Sequence, residues 1–383
     1  MKLKVADNIR SLVPYPPGKP LEELEREYGI TGSIKLASNE NALGPSPKAV
    51  AAIAAALNNL HRYPDGSNYY LTRKLSAKLG VKREEIVFGN GSNEVIGLLV
   101  IAYLDSGEQV ITSDPTFLMY QKFVQARGGE VISVPMKTVP AENGPDATGG
   151  WPLGLAHDLE TILARINEKT RMIFLDNPNN PTGTVIGKED FESFLAQVPE
   201  DVLVVLDEAY VDFVDEDTRL DAREYLYNKT PVVSLRTFSK AYGLAGLRLG
   251  FGLMRPEIAD FLHRVRQPFN VNLLAQIGVL AALDDDEHYT NTLRMSKEGI
   301  AWLNGEIDRL GCRPFATQTN FFLVDVHMDC RKVYKQMLAK GVIVRPMNAY
   351  GYPDYIRITV GTQKENIRFI EALAQTLKEL GAQ

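Results

Sequence analysis

The chain has 383 residues, 45% hydrophobic and 23% charged, which is enough apolar material for two cores under an ordinary surface. A net charge of −6 argues against a nucleic-acid partner, and no apolar run reaches membrane-spanning length. Cys312 and Cys330 make neither a disulfide framework nor a metal site, five scattered histidines offer no HExxH spacing, and a reducing cytoplasm is the expected compartment.

Residues 1–7 meet an acidic residue before any apolar stretch develops, so no secretory leader is expected. Pro14-Tyr15-Pro16-Pro17-Gly18-Lys19-Pro20 is too proline-rich for a helix or central strand and suits an extended arm. Residues 85–88 read as a strand, Gly89-Asn90-Gly91 as a sharp turn, and Ser92-Asn93-Glu94 as the opening of an apolar helix. Free backbone N–H groups at that helix start suit an anion. A further strand over 109–112 leads into Asp114-Pro115-Thr116-Phe117, and residues 138–154, rich in Gly, Pro and Ala and containing Trp151, read as a surface loop.

Three apolar runs then end in polar clusters. Residues 171–176 run into Asn177-Pro178-Asn179-Asn180-Pro181-Thr182-Gly183, a rigid turn. Residues 202–206 deliver Asp207, Glu208, Ala209 and Tyr210, and residues 231–235 lead to Thr237, Ser239 and Lys240, with Arg248 following in Gly246-Leu247-Arg248-Leu249-Gly250. Near-continuous apolar strands imply a parallel sheet buried on both faces, and ligands of such sheets bind outside the carboxyl ends of the strands. Asn180, Asp207, Tyr210 and Lys240 are therefore expected in one site. Residues 270–283 and 364–380 have helical periodicity, and two short β-rich runs, 341–346 and 355–361, present Arg345 and Arg357. A planar guanidinium at a strand end suits a carboxylate.

One ligand answers the four residues together. The aldehyde of pyridoxal phosphate wants a lysine, its ring nitrogen a carboxylate, its phenolic oxygen neutral donors, and its phosphate a helix start and an arginine. In these motifs the sequence resembles the fold type I pyridoxal-phosphate aminotransferases, and within them the histidinol-phosphate aminotransferases, nearly end to end.

The resemblance implies a large doubly wound α/β domain over 48–276, a smaller discontinuous α/β domain over 30–47 and 277–383, and an N-terminal arm over 1–29. It implies that Lys240 forms the imine with the cofactor and shuttles the substrate proton, that Asp207 pairs with the pyridinium, and that Tyr210 and Asn180 bind the phenolic oxygen. Gly91, Ser92, Asn93, Thr237, Ser239 and Arg248 match phosphate ligands, and Phe117 matches a stacking aromatic that is often tyrosine in the family. Tyr63, in Arg62-Tyr63-Pro64-Asp65, matches a tyrosine reaching the neighbouring subunit's cofactor in a homodimer. Arg357 matches the arginine for the substrate α-carboxylate. Arg345 matches one that faces the substrate phosphate and can take glutamate's side-chain carboxylate in the other half-reaction. Tyr15, Asn41 and Asn320 match positions at the substrate cleft.

The expected reaction moves an amino group from histidinol phosphate, or from an aromatic amino acid, to 2-oxoglutarate by a ping-pong route. A decarboxylase of the threonine-phosphate type would use the same lysine and aspartate, and the residues alone separate the two poorly. A sensor built on the same module would need a DNA-binding segment, for which no room is expected before Leu36, and a dinucleotide enzyme would need a strand running into G-x-G-x-x-G with a suitably spaced acidic residue, which is not found.

Overall fold

The structure is a computed structural model that describes residues 3–14, 18–139 and 154–381. Tyr15 and most of the 138–154 loop, Trp151 included, lie outside the described residues.

Seven strands make the central sheet: β1 (Ile86–Gly89), β2 (Gln109–Asp114), β3 (Glu130–Pro135), β4 (Thr170–Asp176), β5 (Leu203–Asp207), β6 (Val232–Thr237) and β7 (Gly250–Leu253). Their spatial order is β1-β7-β6-β5-β4-β2-β3, parallel throughout except that β7 runs antiparallel to both β1 and β6. Side chains of β5 alternate between two separate cores, Leu203 and Val205 facing one and Val204 and Leu206 the other. That double burial is why the strand reads as an unbroken apolar run rather than an alternating one. Register aligns the strand ends: Asp176 lies opposite Asp207, and Thr237 opposite Gly250. The polar residues that end β4, β5 and β6 therefore share one edge of the sheet.

A second core forms beside that edge. Strands β8 (Arg313–Pro314), β9 (Phe321–Asp325), β10 (Arg345–Pro346) and β11 (Tyr355–Thr359) form an antiparallel sheet in the order β8-β9-β11-β10. Leu303 of the long helix Asp286–Arg309, Val333 of helix Cys330–Ala339 and Phe369 of helix Gln363–Glu379 pack with Phe322 and Ile358 in its core. The 341–346 run, expected as one strand, is divided. Val342–Ile343 pairs in parallel with Ile34–Lys35, whereas Arg345–Pro346 pairs with β11 at the sheet edge, the position that tolerates a proline without an N–H.

Helix Leu21–Tyr28 lies on this second core through Leu24, which contacts Ala37, Leu338 and Ile343. Nearer the start, Asn8 donates from Nδ2 to the carbonyls of Gln125 and Ala126 at 3.2 and 2.9 Å, so this part of the arm rests on its own chain. The flanks of the 138–154 loop are more ordered in pattern than a plain loop reading implies: Lys137–Val139 pairs antiparallel with Gly154–Ala156. Among the described residues no helix is long and apolar enough to cross a membrane.

Candidate active site

A cavity of about 420 Å³ opens at the carboxyl edge of the sheet, between it and the second core. Gly91, Ser92 and Asn93 line it from the turn after β1, and Phe117 from the turn after β2. Asn180 comes from the turn after β4, Asp207 from the end of β5 and Tyr210 from just beyond it, and Thr237, Ser239, Lys240 and Arg248 from β6 and the loop behind it. Arg345 and Arg357 close the far side.

The anion end is built from backbone and hydroxyls. Gly91, at φ 73°, precedes helix Ser92–Tyr103, which carries no side-chain cap, so its opening N–H groups face the cavity without an internal acceptor from a cap. Ser92 is thus the first helical residue rather than the cap. A Cβ at Gly91 would stand 2.8 Å from Nη2 of Arg248, and one at Gly250 would stand 2.2 Å from the Ser92 nitrogen. Glycine at both positions lets the arginine and strand β7 approach the helix start. Arg248 itself adopts the left-handed region at φ 59°, a conformation unusual for arginine and costly unless its surroundings impose it. Thr237 donates from Oγ1 to Ser239 Oγ at 3.0 Å, and the Ser239 N–H returns to Thr237 Oγ1 at 3.1 Å, setting two hydroxyls side by side. Among the described residues the buried Asn93 Oδ1 has no hydrogen-bond partner.

At the other end Asp207 is buried, and burial pushes its carboxyl up to about 7. Tyr120 donates to its Oδ2 at 2.7 Å and the Ala209 N–H to its Oδ1 at 3.1 Å, which fixes the carboxylate plane. Tyr120, a residue that sequence reasoning passed over, stacks on Phe174 at 4.7 Å and meets Phe117 edge-on at 5.5 Å. Its place one helical turn after Phe117 was the available signal. A buried carboxyl so easily neutralised wants a cation against it, and a protonated ring nitrogen is one. Lys240 reaches within 3.4 Å of the Ser38 carbonyl and lies 5.4 Å from the Tyr210 ring centroid. Asn39 donates from Nδ2 to the Tyr210 hydroxyl at 2.9 Å, leaving the phenolic proton to be donated elsewhere. Anion cradle, amine, phenol and buried carboxyl together fit pyridoxal phosphate.

Arg345 and Arg357 are direct partners across the β10–β11 ladder. Like charges so placed repel, and an anion between them removes the conflict. Arg357 is buried, donating to the Ala37 carbonyl at 2.9 Å and to Asn180 Oδ1, with its guanidinium 5.1 Å from the Phe321 ring centroid.

Other expected residues stand elsewhere. Asn41 does not line the cavity: its Nδ2 donates to Thr292 Oγ1 and to the Ala241 carbonyl at 2.9 and 3.1 Å, bracing the loop after Lys240. Asn320 is buried behind the wall, donating to the Asn39 and Glu40 carbonyls. Short amides at turns serve main-chain groups as readily as ligands, which is why position in sequence did not separate these roles. Tyr63 also lies away from the cavity of its own chain, 83% exposed and stacked 4.9 Å from Phe269.

Known proteins are similar to this chain over its whole length. Two relatives named histidinol-phosphate aminotransferase, from Desulfotalea psychrophila and Moorella thermoacetica, are 57% and 45% identical, over 99% and 98% of this chain and 97% and 93% of their own. A solved histidinol-phosphate aminotransferase from Sinorhizobium meliloti, in complex with pyridoxal-5'-phosphate, superimposes with a TM-score of 0.87 at 27% identity, covering 100% of this chain and 99% of that one. The fold is therefore that of the fold type I enzymes, as expected. With the profile for aminotransferases of class I and II matching residues 31–373 as well, the chain belongs to the class I and II aminotransferase family.

Proposed function

We propose that this protein transfers the amino group of histidinol phosphate to 2-oxoglutarate, using pyridoxal phosphate. The observation that carries the substrate reading is the pairing of Arg345 and Arg357 on one wall of a cavity whose opposite end already has an anion cradle. Identity of 57% to a relative named for this activity supports it.

When bound, the cofactor supplies an aldehyde that captures amines and a ring that accepts the electron pair released at the substrate Cα. The amine of Lys240 would take the proton released from that carbon and hold it for return across the adjoining nitrogen. Asp207, fixed by Tyr120 and the Ala209 N–H, holds the proton on the ring nitrogen, which keeps charge stabilisation in place as the Cα–H bond breaks. Tyr210 and Asn180 orient the phenolic oxygen. The Gly91-Ser92-Asn93 turn, Thr237, Ser239 and Arg248 bind the phosphate, while Phe117 presents its ring face to the cofactor without a hydroxyl.

Arg357 grips the carboxylate of glutamate or 2-oxoglutarate. Arg345 takes the phosphate of histidinol phosphate in one half-reaction and the side-chain carboxylate in the other, so a single anion position serves two dissimilar substrates. In this reading two copies form a homodimer in which the exposed Tyr63 reaches the partner's cofactor site.

Steady-state assay of the cofactor-loaded protein with histidinol phosphate and 2-oxoglutarate tests the reading. Glutamate should form in step with loss of histidinol phosphate, without carbon dioxide. Release of carbon dioxide, or no glutamate, contradicts it.

A further inference from the structure

Asp176, at the end of β4, belongs to no role assigned so far, yet its carboxylate is buried beside the cavity and lies on the strand position opposite Asp207. Three donors converge on it. Thr116 donates from Oγ1 at 2.8 Å, Asn179 from Nδ2 at 2.9 Å and the Asn180 backbone N–H at 2.9 Å. Thr116 belongs to the turn carrying Phe117, and the two asparagines to the turn after β4, so one carboxylate joins two loops that meet only in space. Asn179 tightens the junction by also donating to the Pro115 carbonyl at 3.3 Å. From beneath, His157 donates from Nε2 to the Asp176 carbonyl at 3.0 Å, with Ser113 Oγ 2.6 Å from its Nδ1. Burial holds that imidazole down at about 4, so it stays neutral and adds no charge.

A buried carboxylate is costly to keep unless its lone pairs are filled. Here they are filled by donors that fix the two walls of the site: Asn180, whose Oδ1 also receives Arg357, and the Thr116–Phe117 turn. An amide at this position offers one oxygen to the same donors and turns an N–H₂ toward at least one of them.

We propose that Asp176 is a positioning residue that ties the Phe117 wall to the Asn180 wall of the cofactor cavity and sets a second carboxylate beside Asp207. The inference rests on the pyridoxal-phosphate reading of the site. Through Asn180, Asp176 also steadies Arg357, so its loss reaches the substrate carboxylate as well as the cofactor ring.

Cofactor-free wild type and Asp176→Asn are compared by thermal melting and by titration with pyridoxal phosphate, followed by visible circular dichroism. The variant should fold, bind the cofactor about ten-fold more weakly, and give an altered visible dichroism band. Its KM for 2-oxoglutarate should rise more than its kcat falls. A folded Asp176→Asn with wild-type affinity and an unchanged band overturns the proposal. If that variant does not fold, Thr116→Val cuts one of the three ties and is read in the same way: weaker binding with an altered band supports the tie, and wild-type behaviour overturns it. Failure of the wild type itself to take up pyridoxal phosphate overturns the cofactor reading, and this proposal with it.

Discussion

The two ends of the cavity are built on opposite principles. On the sheet side, Asp207, Asp176, Thr237 and Ser239 are buried and hydrogen-bonded to neighbours before any ligand arrives. On the second-core side, Arg357 is likewise buried and hydrogen-bonded, but Arg345, its partner across a short edge ladder, is only half-buried and pairs with no carboxylate among the described residues. Groups that stabilise a transition state gain from being fixed in advance, since no reorganisation is then needed as charge develops. Groups that must accept a phosphate in one half-reaction and a carboxylate in the other gain from standing at an open edge, where a guanidinium meets either anion.

Replacements on the sheet side should therefore damage chemistry, and those on the arginine side should damage recognition. Lys240→Ala gives the largest effect, a loss in turnover of at least about 1,000-fold by steady-state assay, with the cofactor still retained through phosphate and ring contacts. Unchanged turnover would refute its role. Asp207→Ala should slow α-proton removal by roughly 100- to 1,000-fold, measured as the primary isotope-sensitive step with Cα-deuterated substrate. Normal proton-transfer rates would break the pairing with the ring nitrogen. Arg357→Ala should instead raise the KM for 2-oxoglutarate by roughly 30-fold or more with a smaller fall in kcat, and Arg357→Lys should recover little, because an ammonium does not reproduce the bidentate grip.

A smaller effect concerns the protein without cofactor. Burial raises the Asp207 carboxyl to about 7 and that of Asp176 to about 6, so folding takes up protons and stability from these groups is present at low pH and declines as pH rises through roughly 4 to 7. His157, held down at about 4, has the opposite sign and gains stability over roughly pH 4 to 6.5. Asp207→Asn isolates one contribution. At pH 5 it should melt close to wild type, and at pH 8 it should be more stable by on the order of 1–2 kcal/mol, an advantage that reverses when the cofactor is bound. An equal shift at both pH values would show that Asp207 is not strained in the empty site.

The contrast also explains what the sequence disclosed. Lys240, Asp207 and Asn180 were legible because each follows an apolar strand, and parallel register brings strand ends to one edge. Arg345 and Arg357 stood out as charges in β-rich runs, although the break between Val342–Ile343 and Arg345–Pro346 was not visible in a continuous apolar pattern. Tyr120 was marked only by its spacing from Phe117, and His157 was not legible. A tyrosine inside a helix reads as core, and the His157 contacts span 44 residues to Ser113 and 19 to Asp176. Asp176 looked like the polar end of a strand until the Thr116 and Asn180 contacts placed it between two loops.

The central claim is that the open arginine wall reads a phosphate while the fixed wall performs the chemistry. It is tested most directly by single-turnover reaction of cofactor-loaded wild type and Arg345→Gln with histidinol phosphate and with histidinol, which lacks the phosphate. The wild type should react with histidinol phosphate on the order of 100-fold more efficiently than with histidinol, and Arg345→Gln should lose most of that advantage while still reacting with both. Equal reactivity of the two substrates in the wild type, or an undiminished advantage in Arg345→Gln, would contradict the account.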